Sequence, residues 1–156
     1  MLESTRNFMI SDVELNWAKL VSPVDPFQQG ARYEMQIATT DATKAQEWKD
    51  NYLNVKEKDG VFTVQLKRMA ERKDGSDNGK VRVVDANRAP FENVGSIGNG
   101  SRGNVIVSQF PYSYAGRKGV GTSLEAVQVT DYQEYTPENA MDFDVVGAPA
   151  SDDQMF

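Results

Sequence analysis

Alternation of apolar and polar side chains dominates this chain, and a helical period surfaces only once. Between Phe8 and Leu20, Val13, Leu15 and Trp17 alternate with Glu14 and Asn16, the pattern of a strand with one buried face. Ser22-Pro23 and Asp25-Pro26 close that run. Tyr33, Met35 and Ile37 against Arg32, Glu34 and Gln36 predict a second strand. With Thr40 or Asp41 as N-cap, Ala42, Ala45, Trp48 and Tyr52 then recur at helical spacing and predict one helix ending near Tyr52. Trp17 and Trp48, each on the apolar side of its own element, are expected in the core.

Asp59-Gly60 is a turn signal, and Phe62, Val64 and Leu66 after it alternate with Thr63, Gln65 and Lys67 in a third strand. The stretch Arg72 to Gly79 is polar and turn-rich, and Val81 and Val83 beyond it predict a short strand in an excursion hairpin. Gly95, Gly98, Gly100 and Gly103 form a connector into a strand over 104–114. A reversal at Ala115-Gly116 leads to a last strand over 119–130. Five or six strands with one helix predict an all-β protein, a small closed or partly open barrel. Past Tyr135 periodicity fades into Asp, Pro, Asn, Ala and Gly, so 1–135 is expected to be the folded domain and 136–156 a disordered tail.

Composition removes most chemistry. The 156 residues include no cysteine and no histidine, which eliminates disulfides, thiolate nucleophiles, Cys/His zinc sites and imidazole acid-base catalysis together. No cofactor is expected. No run approaches the ~18 apolar residues of a membrane span, so no membrane partner is expected and the cytoplasm is the expected location. Net charge is -6, but its distribution says more than its sum. From Lys56 to Lys118 twelve basic residues face seven acidic ones, whereas Asp131 to Phe156 holds seven acids and no Lys or Arg.

Two motif matches are refused. Gly98, Gly100 and Gly103 satisfy GxGxxG, but Val105-Ile106-Val107 continues as a strand where a dinucleotide site needs a helix. Asp74, Ser76, Asn78 and Asp85 imitate a calcium loop without its terminal glutamate or flanking helices. Asp85, Glu92 and Glu125, the carboxylates available to a magnesium-dependent nuclease, match no defensible spacing.

Unpaired nucleic acid is held by a cationic groove that follows the phosphates and by aromatic faces on which bases stack. Phe110, Tyr112 and Tyr114 fall at i, i+2 and i+4, on one face of a strand, with Arg117 and Lys118 just beyond. Pro111 between them predicts an edge or a bulge. Lys67, Arg68, Arg72, Lys73, Lys80, Arg82, Arg88 and Arg102 supply the candidate phosphate track. Asp142, Asp144, Asp152, Asp153 and the terminal Phe156 make the tail a candidate phosphate mimic and a candidate partner-binding anchor. A structural virion or adaptor protein without DNA affinity is the competing expectation.

The stretches VQLKRMAERKDGSDNGKVRVVDANRAPF and IGNGSRGNVIVSQFPYSYAGRKGVGTSLEAVQV resemble the single-stranded DNA-binding proteins of tailed phages, of the T7 helix-destabilising type. The order GNGSRGNV, FPY, GRKGV and AVQV carries the resemblance, over about Val64 to Val129, and SDDQMF is similar in character to the acidic, phenylalanine-terminated tails of such proteins. The resemblance implies an OB-fold-like five-stranded barrel that protects single-stranded DNA in replication, recombination and repair. It also implies contacts through the tail to replicative DNA polymerase and helicase/primase. This tail is less densely acidic and is interrupted by the apolar run Val145 to Pro149. Oligomeric state is left open, a homodimer being one candidate.

Overall fold

The structure is a computed structural model and describes residues 2–135. The acidic segment predicted as a tail, with Asp142, Asp144, Asp152, Asp153 and Phe156, lies outside the described residues.

Seven strands make one sheet. β1 (Arg6–Val24) is long enough to pair along its first half with β6 (Ser101–Tyr114) and along its second half with β2 (Arg32–Thr39). β2 pairs with β4 (Val61–Met69), which carries the short β3 (Lys56–Lys58) on its other edge. β6 pairs with β7 (Arg117–Asp131), and β5 (Arg82–Val84) lies parallel to β7. The order β3-β4-β2-β1-β6-β7-β5 does not close into a ring of hydrogen-bonded strands. Hence the all-β class with one helix holds, while the five-stranded barrel expected from the resemblance is corrected to an open seven-stranded sheet. Of the two strands beyond five, β5 is the short strand expected around Val81 and Val83, whereas β3, three exposed residues, shows no alternation. The expected excursion folds back on itself, with antiparallel bridges Glu71–Asp77 and Val84–Pro90, and Arg82–Val84 adds a parallel pairing with Ala126–Gln128 that the sequence pattern did not predict.

The sheet curls around a core of alternate residues from every long strand: Val13 and Leu15 from β1, Met35 and Ile37 from β2, Val64 and Leu66 from β4, Val105 and Val107 from β6, Leu124 and Val127 from β7. Curling brings β4 toward β7, and one side chain spans the seam. Arg68 Nη1 pairs with Glu125 Oε2 at 3.0 Å, its Nε donates to the Gly79 carbonyl at 3.0 Å, and its Nη2 donates to the Asn78 carbonyl.

The single α-helix α1 (Ala42–Asp50) starts where expected, with Asp41 Oδ1 accepting from the Thr43 and Lys44 amides. It buries Ala45 and Trp48 against the curled sheet. Trp17 does not join Trp48 in the core. β1 slips against β2 between Asn16 and Lys19, and Trp17 takes the extra position with φ of +53° and its side chain 62% exposed. A bulge of this kind reverses which face a side chain takes, so alternation read through it fails. Among the described residues no helix is long and apolar enough to cross a membrane.

Candidate nucleic-acid interface

Gln109 is the last wholly buried residue of β6, and beyond it the β6–β7 hairpin leaves the core as an arm. Its base is fastened to the helix end: Arg6 donates to Gln109 Oε1 at 2.9 and 2.7 Å, and Gln109 Nε2 donates to the Asn51 carbonyl at 2.7 Å. Arg6 also reaches Asn51 Oδ1 at 3.0 Å and lies 5.2 Å from the Phe8 ring centroid. At the tip, Ala115 and Gly116 both take positive φ, +52° and +81°, between paired Tyr114 and Arg117. Left-handed conformations at both central residues match the right-handed twist of the flanking strands.

Inward-facing positions of β6 are odd-numbered from Ser101 to Gln109, so Phe110, Tyr112 and Tyr114 project from the opposite face. They are 40%, 49% and 80% exposed. β1 covers β6 only as far as the Arg6–Gln109 pair, which makes the 110–114 stretch a local edge and leaves Pro111 without a missed ladder bond on that side.

Glycine decides how the rings lie. Phe110 is paired across the hairpin with Gly121, and Tyr112 with Gly119. A methyl group on Gly119 would sit 2.5 Å from Tyr112 Cζ, and one on Gly121 would fall within the Phe110 ring. The far end of each ring therefore lies over bare backbone of the neighbouring strand, in space that only glycine leaves open. Tyr114, opposite Arg117, has no such seat. A groove of about 540 Å³ runs beside this platform, lined by Leu2, Glu3, Pro111, Tyr112, Ser113, Lys118 and Gly119.

The candidate cations are dispersed around the sheet. Arg117 shares the outward face with Tyr114, while Lys118, paired with Ser113, points to the other face. Arg82 is aligned with Ala126 of β7, which is aligned with Ile106 of β6, so it lies on the rings' side of the sheet, two strands or about 10 Å from β6. Lys73, Lys80 and Arg88 are exposed on the 70–90 loops. Arg72 folds onto its own turn, donating to the Asp77 carbonyl at 2.6 Å and Ser76 Oγ at 3.3 Å. Lys67 is exposed on β4, across the sheet from the arm and beside Glu34 of β2. Arg68 is occupied at the seam, as described.

Arg102 is held by Asp12, at 3.0 Å from Nη2 to Oδ1 and 3.2 Å from Nε. The hydrogen bond from Arg102, then its charge, lowers the Asp12 carboxyl from its ordinary value. Ser76 likewise lowers Asp74, whose Oδ1 accepts from the Ser76 hydroxyl and amide, so the calcium-like loop satisfies its own carboxylate. Asp85 Oδ1 accepts from the Asn87 and Ala89 amides. Among the described residues no cluster of acidic side chains forms a metal-holding group.

No protein-family model matches the chain, and no curated protein is detectably similar in sequence. Solved structures do match. The single-stranded DNA-binding protein gp2.5 of bacteriophage T7 aligns with a TM-score of 0.66 at 18% identity, over 95% of this chain and all of that one. The single-stranded DNA-binding protein of bacteriophage Enc34, solved in complex with single-stranded DNA, aligns with a TM-score of 0.61 at 12% identity, over 83% of this chain and 88% of its own. The fold is that of phage single-stranded DNA-binding proteins. As regards the fold, this bears out the resemblance read from residues 64–129. Sequence reasoning missed Trp17, Phe27 and Lys19 as surface groups, and Arg32 as a buried partner of Glu34. The Pro26-Phe27 loop was visible as a turn, but nothing in the pattern marked the bulge at Trp17.

Proposed function

We propose that this chain is a non-enzymatic binding protein that coats and protects single-stranded DNA during phage replication and recombination. The observation that carries the reading is the arm: three exposed rings on one face, two of them seated on glycine, with Arg117 at the tip and Arg82 on the same side of the sheet. Such rings offer faces to any base, while the cations follow phosphates, which gives affinity without sequence preference. The fold shared with two phage proteins that bind single strands supports it. Residues 1–135 are the binding domain in this proposal. The acidic 136–156 segment lies on the cationic surface in the absence of DNA and, when displaced, recruits polymerase and helicase/primase.

Gel retardation of oligo-dT against duplex DNA tests this directly. Single strands are expected to shift and duplex not, with log K falling linearly as log salt rises. Deleting residues 142–156 is expected to tighten binding. No retardation at low salt by either form would end the reading.

Asp12→Asn is expected to release Arg102 onto the outer face of the sheet while asparagine tolerates the left-handed backbone at this position (φ +53°). Affinity should rise a few-fold and the salt slope steepen by about 0.7, one added phosphate contact on a single strand. An unchanged slope would place Arg102 off the DNA path.

A further inference from the structure

The same fold that exposes the arm exposes a second aromatic group in a place no alternation predicts. Trp17 is 62% and Phe27 66% exposed, the two most exposed large apolar side chains after Tyr114 among the described residues. Neither is loose. Trp17 takes a left-handed backbone conformation, uncommon for a bulky residue, and its amide donates to Asn99 Oδ1 at 2.8 Å. The preceding Asn16 is buried and accepts from the Gly100 amide at 3.1 Å, so the bulge is bolted to the 98–100 connector on both sides. Backbone strain of this kind persists only where surrounding structure enforces it, and here its product is a tryptophan turned to solvent.

The neighbours of Trp17 are cations and amides. Lys19 of β1 is aligned with Glu34 of β2, and Glu34 with Lys67 of β4, so the three share the outer face in one row. The adjacent row is Asn16, Gln36 and Gln65. Glu34 lies 3.9 Å from Lys19 and 3.2 Å from Arg32, and the Arg32 guanidinium stands 4.9 Å from the Phe27 ring centroid. Glu14 faces the same side one row further on, where Arg102 of β6 is its cross-strand partner. Lys19 and Arg32 therefore pair with one carboxylate, Glu34, with Lys67 aligned beside it, and Arg32 is itself buried against the exposed Phe27 ring. This is the composition of a single-strand contact: ring faces for bases, an amide row for base edges, and an excess of positive charge for phosphates.

We infer that Trp17 and Phe27, with Lys19 and Lys67, form a second stacking station for the strand that lies on the arm, the buried Arg32 holding the Phe27 ring. The inference rests on the single-strand reading proposed above. Trp17 adjoins the start of β6, where Leu15 pairs with Ser101, and Phe110 lies nine residues further along. That is about 30 Å of strand, a span within the footprints of up to about 16 nucleotides known for one OB fold. The two stations define the ends of a path across the outer face.

Tryptophan emission reads the station directly, because the only other tryptophan, Trp48, is buried in the core. Saturating the full chain with a dT strand of about 16 nucleotides is expected to quench Trp17, and Trp17→Phe to remove the quenching while keeping most of the affinity. Trp17→Ala is expected to cost about tenfold in affinity for that strand, with an unchanged circular dichroism spectrum. If the strand binds, emission stays constant and Trp17→Ala binds equally well, the second station is wrong and the arm reading stands. If Trp17→Ala alters sedimentation but not DNA affinity, the patch belongs to a contact between copies of the chain, and the inference fails. Absence of any strand binding would remove the proposed function itself.

Discussion

Replacing Phe110, Tyr112 and Tyr114 together by alanine is expected to abolish measurable binding to oligo-dT at about 0.2 M salt, and Tyr112→Ala alone to weaken it about tenfold or more. Stacking one base on one ring contributes about 1–3 kcal/mol, so loss of three rings exceeds what the remaining phosphate contacts supply once salt screens them. The substitutions should leave the fold intact, because all three side chains are exposed and the arm is fastened below them by Arg6, Gln109 and Asn51. Gly121→Ala makes a sharper companion. It removes no ring, yet its methyl group occupies the space of the Phe110 ring and must lift it off the sheet. A loss of affinity like that of Phe110→Ala, with near-native thermal stability, is the expected result of unseating the platform. Fluorescence anisotropy titrations measure both. Affinity within twofold of the unmodified chain for the triple variant would place the strand elsewhere.

Much of this was legible because alternation survives wherever a strand is long and one face is buried. β2 and β4 carry it without interruption through their buried centres, β7 carries it on either side of a register shift at Glu125, and the Asp41 cap with Ala45 and Trp48 at helical spacing locates α1. The rings at 110, 112 and 114 could be read as one face from their spacing alone. What the pattern could not show was that β1 lies on the other side of Gln109, so that the same strand is core before that residue and surface after it. Two failures have local causes. At Trp17 a single inserted residue turns an apolar side chain outward, an event written in backbone dihedrals and in a side chain eighty-two positions away, Asn99. β5 was legible as a short strand from Val81 and Val83, but its parallel pairing is with a strand more than forty positions later in the chain, and short-range patterns contain no trace of that partner.

The cations illustrate a different limit. Lys67, Arg68, Arg72 and Arg102 look equivalent in sequence, but the structure gives them four separate occupations: an exposed surface row, the β4–β7 seam, a turn, and an ion pair with Asp12. Charge counted along the chain predicts a field, and only three-dimensional partners show which charges are free to meet a phosphate.

Gly103→Ala is expected to cost about 3 kcal/mol of stability and to lower the melting temperature by roughly 10 °C. Gly103 faces the core in the middle of the β1–β6–β7 layer, paired with Val13 on one side and Val129 on the other. β7 slips by one residue here, between the partners of Arg102 and Gly103, and the slip carries the Gln128 carbonyl over the Gly103 Cα. A methyl group at Gly103 would land on that carbonyl oxygen and 3.2 Å from Leu15 Cδ1. Backbone cannot retreat as a side-chain terminus can, because Gln128 is paired with Asn104 in the β6–β7 ladder, and its side chain accepts from Asn104 Nδ2 at 2.9 Å and donates to the Asp85 and Ala86 carbonyls. The strain is thus expected to appear as faster and easier unfolding, read by thermal denaturation. Below its melting temperature the variant should still bind oligo-dT nearly normally, since the arm is anchored through Gln109, Arg6 and Asn51 and not through this crossing. An unchanged melting temperature would show that β7 can shift its register at no cost, and a lost affinity in the folded variant would show that the arm depends on the core crossing after all.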